Sequence, residues 1–186
     1  MIARHPCLLN RSTSVLVAVD LQEPFLGASF ERERVIEHCK LLIQAAQALQ
    51  IPVVATLQYA KRMGGIIPEI ASIFGDQTPP TFDKLVFSCC GSDGFNAAIA
   101  GYHQVLLCGI ETHICITQTA LDLQHRGYQV HVAADAVSSR TEARHLLGLE
   151  KLKASGVVPC ASEQAVFEWL YEASAPEFKA IHALVK

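Results

Sequence analysis

The sequence predicts an α/β fold: three layers, α/β/α, around a mostly parallel, doubly wound central sheet. Three observations carry this. Apolar, β-branched runs alternate along the chain with segments of helical spacing. The runs are apolar at consecutive positions, as strands covered on both faces are. Finally, 51% of the 186 residues are hydrophobic and only 18% are charged. That composition suits a sheet buried on both sides, with further burial between subunits.

Each element has its own signal. Residues 14–22, SVLVAVDLQ, read as a central strand that presents Asp20 at its carboxyl end. Residues 31–49 place Val35, Cys39, Leu42, Ile43, Ala46 and Leu49 at amphipathic helix spacing. A second strand, 51–59, opens with Pro52 and ends in Gln58 and Tyr59. From 61 to 80 the pattern breaks at Gly64, Gly65, Pro68, Gly75, Pro79 and Pro80, a long loop with one helical turn at 68–74. Loops this long are more often functional than not. Residues 81–89, TFDKLVFSC, read as an edge strand carrying Lys84, and 92–101 as a short helix stopped by Gly101. Residues 104–109 are a buried strand ending in glycine. Ile116, Thr119, Ala120 and Leu123 then recur at helical spacing, so a helix begins at about His113. Residues 128–137 form a strand ending near Asp135, and Ser139 or Thr141 caps a helix over 142–154 that stops at Gly156. A short strand GVVPC, a helix over 163–173 and a helical tail from Pro176, placed to pack on a neighbour, complete the series. No repeat, linker or low-complexity tract intervenes, so residues 1–186 are expected to form one domain.

Charge and cysteine content narrow the function. Net charge is −3 and the basic residues are scattered, which argues against nucleic acid and against an anionic membrane surface. No run of 18 apolar residues occurs, and the first 14 residues lack the apolar core of a signal peptide. Seven cysteines, an odd number without C-x-x-C spacing, indicate neither a disulfide framework nor a zinc site. A reducing compartment follows, and a cytoplasmic protein is the expectation. The first strand runs into DLQEPF, with no glycine fingerprint for a dinucleotide.

In such folds ligands bind beyond the carboxyl ends of the strands. Asp20, Lys84 and Cys115 are the reactive side chains expected there. Cys115 would sit in the first turn of a helix, where free N–H groups and the helix dipole favour thiolate. A carboxylate beside it could take its proton, a lysine could hold that carboxylate, and the sulfur could attack a carbonyl. The amides of Ile114 and Cys115 are placed to receive the oxyanion. Each residue also has a plainer reading: Cys115 as an inert buried thiol, Asp20 as a turn cap, Lys84 as a solvated edge residue. Asp135 reads as a capping or loop-fixing residue serving Ser138 and Arg140, and His113 lies two residues from Cys115, a spacing that does not bring helical side chains together. Phe25, Gln58, Tyr59 and Phe87 are candidates for the substrate pocket.

VLVAVDLQEPF, TFDKLVFS, LLCGIETHICITQTALDL and QVHVAADAVSSR resemble the isochorismatase-like cysteine hydrolase superfamily over nearly the whole chain, and most of all the isochorismatase domain-containing proteins. The resemblance implies a triad of Asp20, Lys84 and Cys115 and a non-proline cis peptide at Ile110–Glu111 shaping the oxyanion pocket. It further implies a small-molecule substrate and a homo-oligomer. Nicotinamidases of the superfamily carry an Asp-x-His metal pair after the second strand. Here the chain reads Gln58, Tyr59, Ala60, Lys61, so no metal and no cofactor are expected. Isochorismatase proper works without the cysteine, so Cys115 points to covalent attack on an amide-like carbon. The alternative is a catalytically weak protein that holds a metabolite or partner on the same fold.

Overall fold

The computed structural model describes residues 4–75 and 77–186; Met1–Ala3 and Asp76, the latter within the expected long loop, lie outside the described residues. Six strands form one all-parallel sheet: β1 (Ser14–Val19), β2 (Val53–Gln58), β3 (Thr81–Lys84), β4 (Gln104–Ile110), β5 (Gln129–Ser138) and β6 (Val158–Cys160). Their spatial order is β3-β2-β1-β4-β5-β6. The chain winds outward from β1 in one direction, then returns to the centre and winds out in the other. The change of direction opens a crevice at the carboxyl ends of β1 and β4.

The helices are α1 (Glu23–Leu26), α2 (Arg32–Ala48), α3 (Ala60–Met63), α4 (Pro68–Phe74), α5 (Asp93–Ile99), α6 (Thr117–His125), α7 (Glu142–Ala154), α8 (Ser162–Leu170) and α9 (Phe178–Leu184). All six residues of β1 are buried, and the two-residue period of a strand sorts them between two cores. Leu16 and Ala18 join Val35, Leu42 and Ile43 of α2 and Trp169 of α8. Val15, Val17 and Val19 join Phe95 and Ile99 of α5 and Ala120 and Leu123 of α6. A fully buried leucine such as Leu42 contributes about 1.5–3 kcal/mol relative to exposure. The predicted three-layer fold is therefore the observed one.

Four expectations need correcting. The edge strand ends at Lys84 rather than at residue 89, and Leu85, Val86 and Phe87 stand 70%, 52% and 52% exposed, outside the ladder. The helix expected at His113 starts as a π-type turn, Thr112–Ile116, before α6. The helix expected over 163–173 is Ser162–Leu170. The helical segment expected from Pro176 onward is helix only over Phe178–Leu184, with Ile181 fully buried in the core that α2 helps to form. Of the two proposed caps, Thr141 holds the post: its Oγ1 accepts from the Arg144 amide at 3.3 Å. Among the described residues no helix is long and apolar enough to cross a membrane.

Candidate active site

Gly109 shows why the crevice forms where it does. It has φ +109° and pairs with Val19 across the β1–β4 ladder. A Cβ there would lie 2.1 Å from the Val19 carbonyl oxygen, so only glycine lets the two strands meet at this level. One residue on, the Ile110–Glu111 peptide bond is cis, as the resemblance implied, and the π-type turn follows. Gly148 of α7 backs that turn; a Cβ on it would come within 3.0 Å of the His113 backbone.

Asp20 follows β1 with a left-handed backbone, φ +50°, which lifts the chain off the sheet. Its amide still donates to the Thr56 carbonyl at 3.1 Å. Its carboxylate accepts from Lys84 Nζ at 2.7 Å through Oδ2 and from Thr56 Oγ1 at 2.8 Å through Oδ1. Lys84 ends β3, two strands away, in register with Gln58, and Gln58 Oε1 accepts a second Nζ–H at 2.7 Å. Gln58 is fixed in turn by buried Gln22, whose side chain accepts from the Gln58 amide (2.7 Å) and donates to its carbonyl (3.2 Å). Asp20 and Lys84 are thus a buried, geometrically fixed ion pair, with side chains 1% exposed each.

Burial and charge set the protonation states. Burial disfavours the Lys84 ammonium, but the negative charge of Asp20, with further help from the Cys115 and Cys89 sulfurs, outweighs it and raises the pKa. Cys115 is pushed up to about 12, first by burial, then by the Asp20 charge, against the opposing charge of Lys84. The sulfur therefore rests as a thiol. This differs from the expectation of a resting thiolate: the residue is only 7% exposed, the Asp20 charge opposes its ionisation, and the helix start is here a π-type turn. The same burial and the same carboxylate push Cys89 to about 11; its Sγ lies 3.6 Å from Thr56 Oγ1.

Asp20, Phe25, Gln58, Phe87, Ile110, Glu111, Ile114 and Cys115 line a cleft of about 50 Å³. Six of the eight were singled out from the sequence for this region, and the other two, Ile110 and Glu111, as the halves of the cis peptide. Tyr59 does not line it; it is 40% exposed with φ +49°, starting α3. The Ile114 amide, expected as an oxyanion donor, already donates to the Glu111 carbonyl at 3.0 Å, which leaves Cys115 of the expected two. Glu111 is held by Arg140, with Nε at 3.1 Å and the amide at 3.2 Å from the same oxygen. Two wider depressions, of about 550 and 700 Å³, contain none of Asp20, Lys84 and Cys115. Among the described residues no group of three or more His, Cys, Asp or Glu is placed to hold a metal ion.

The remaining candidates have structural posts. Asp135 caps α8, accepting from the Ser162 amide at 2.9 and 3.0 Å and from its hydroxyl at 2.7 Å, rather than serving Ser138 and Arg140. His113 shares a hydrogen bond with Ser139 at 2.9 Å, and burial lowers its pKa. Sequence reasoning missed Thr56 and Gln22. A threonine inside a strand is ordinary, so only the register with Asp20 singles it out.

Comparison with known proteins now adds to the geometry. The family model for the isochorismatase domain matches residues 14–164. The secreted isochorismatase effector Isc1 of Phytophthora sojae is 40% identical over 178 residues, 94% of this chain and 85% of that protein. Isochorismatase domain-containing protein 2 of Bos taurus is 36% identical over 189 residues, 100% of this chain and 90% of that one. The solved structure of MAR1 ribonuclease from Caenorhabditis elegans superposes with a TM-score of 0.91 at 33% identity, covering 95% of this chain and 91% of that one. The chain belongs to the isochorismatase domain family.

Proposed function

We propose that the protein is a cysteine hydrolase that cleaves the C–N bond of a small amide-type molecule through a thioester on Cys115. One observation carries the reading: Asp20, held by buried Lys84 at 2.7 Å, lines the same cleft as the Cys115 thiol. Because that thiol rests protonated, attack and deprotonation go together: Asp20 takes the Sγ proton while sulfur adds to the carbonyl carbon. The Cys115 amide receives the oxyanion. Asp20 then gives its proton to the departing nitrogen, the C–N bond breaks and an amine or ammonia leaves. Water, losing a proton to Asp20, attacks the thioester; the carboxylic acid is released and the proton returns to sulfur. Lys84 keeps the carboxylate ionised and aimed, while Thr56 holds its other oxygen.

A phosphodiester substrate, which the name of the nematode ribonuclease suggests, meets the wrong charge: this cleft is lined by two carboxylates, and the chain carries net charge −3. All seven cysteines are free thiols, which supports a reducing, cytoplasmic setting. Exposed Leu85 and Val86 beside the cleft and Leu146 and Leu147 on α7 support a homo-oligomer, checked by light scattering. The catalytic reading is tested with a panel of small amides assayed for released amine. Turnover that Cys115→Ala abolishes, with the fold retained, supports it; equal turnover in the variant rejects it.

A further inference from the structure

We propose that this cleft selects uncharged carboxamides with a compact apolar substituent and turns away compounds that carry a carboxylate. The inference rests on the cysteine-hydrolase reading and names the substrate class that reading leaves open. The eight residues lining the cleft include two acids, Asp20 and Glu111, and no lysine, arginine or histidine.

The cations nearest these acids are already engaged. Lys84 faces Asp20 at 2.7 Å and gives a second N–H to Gln58. Arg140, half exposed at the rim, faces Glu111 at 3.1 Å. His113, 3.9 Å from Glu111, is kept towards its neutral form by burial. A carboxylate entering the cleft would therefore lose its water, lie against two carboxylates whose cations are already engaged, and find no basic side chain on the lining. Phe25, Phe87, Ile110 and Ile114 supply the rest of the wall and offer an anion nothing. A carboxamide suits the same surface: its N–H groups can donate to carboxylate oxygens, its carbonyl can face the Cys115 amide, and an apolar substituent can lie against the two phenylalanines.

Two paired reagents test this at the sulfur itself. Iodoacetamide and iodoacetate deliver the same carbon to a thiol with and without charge, and exposed Cys7 serves as an internal reference. Both are applied above pH 9, and labelling is read site by site by mass spectrometry. The amide-to-carboxylate rate ratio at Cys115 is expected to exceed that at Cys7 about tenfold or more, as like charges in a partly desolvated cleft require. Glu111→Gln should shrink the excess. An equal or smaller ratio at Cys115 overturns the inference.

The second arm measures kcat/KM for propionamide and for succinamate, which is propionamide with an added carboxylate. Faster turnover of succinamate also overturns it. Selective labelling without turnover of any amide removes the hydrolase reading while charge selection stands. If Cys115 reacts with neither reagent, both fall.

Discussion

Replacing Lys84 by methionine tests the ion pair on which the site is built. At 2.7 Å the pair's attraction is about 6 kcal/mol for an effective dielectric near 20, and desolvation of both ions offsets much of it. What the variant suffers is larger than that net value, because it leaves the Asp20 carboxylate buried without its cation. Removing one partner of a buried pair costs about 3–5 kcal/mol. At a urea m-value of about 2 kcal/mol/M, the unfolding midpoint should fall by roughly 2 M. Adding Asp20→Asn should recover part of the loss, since the orphan charge goes with it. Urea unfolding of the two single variants and the double variant gives the coupling energy directly. A loss below about 1 kcal/mol for Lys84→Met, with additivity in the double variant, is the behaviour of an exposed pair and would refute the reasoning.

Other consequences can be measured alongside. Alkylation of Cys115 by iodoacetamide should climb about tenfold per pH unit from 7 to 10, towards the raised value near 12; a plateau below pH 8 would mean a resting thiolate. Gly109→Ala forces a Cβ to within 2.1 Å of the Val19 carbonyl, so it should lower the melting temperature by several degrees and abolish activity, read by calorimetry and the amide assay. His131 is buried with neither ring nitrogen hydrogen-bonded, and burial lowers its pKa. Its contribution is complete above its unfolded value of about 6.5 and is lost as pH falls towards the depressed folded value. His131→Leu should therefore flatten the acid side of a stability–pH curve, measured by urea unfolding from pH 5 to 8.

The strands, the winding of the sheet and the region of the cleft were legible because they depend on apolar periodicity and glycine placement. Val15, Val17 and Val19 next to Leu16 and Ala18 announce a strand with two dry faces, and the apolar run that ends in Gly109 announces a buried strand running into a turn. Less legible was what depends on contacts across the sheet. Thr56 reaches Asp20 only because β2 lies beside β1, and Gln22 governs Gln58 through side-chain bonds that no spacing rule reveals. Leu85–Val86–Phe87 looks like continuing strand, yet β3 is the outermost strand and nothing pairs beyond Lys84. The charge state of Cys115 is hidden from the sequence for a similar reason: a helix start announces positive polarity, whereas burial and the Asp20 carboxylate at the end of another strand favour the thiol.

Thioester formation on Cys115 is tested most directly by rapid-quench mass spectrometry of the protein mixed with an amide from the panel that is turned over. An acyl adduct on the Cys115 peptide, heavier by the substrate's acyl group, is expected to form and decay within the turnover time and to be absent from Cys115→Ala. Sustained turnover with no adduct on that peptide at any time point, and with the alanine variant equally active, would contradict it.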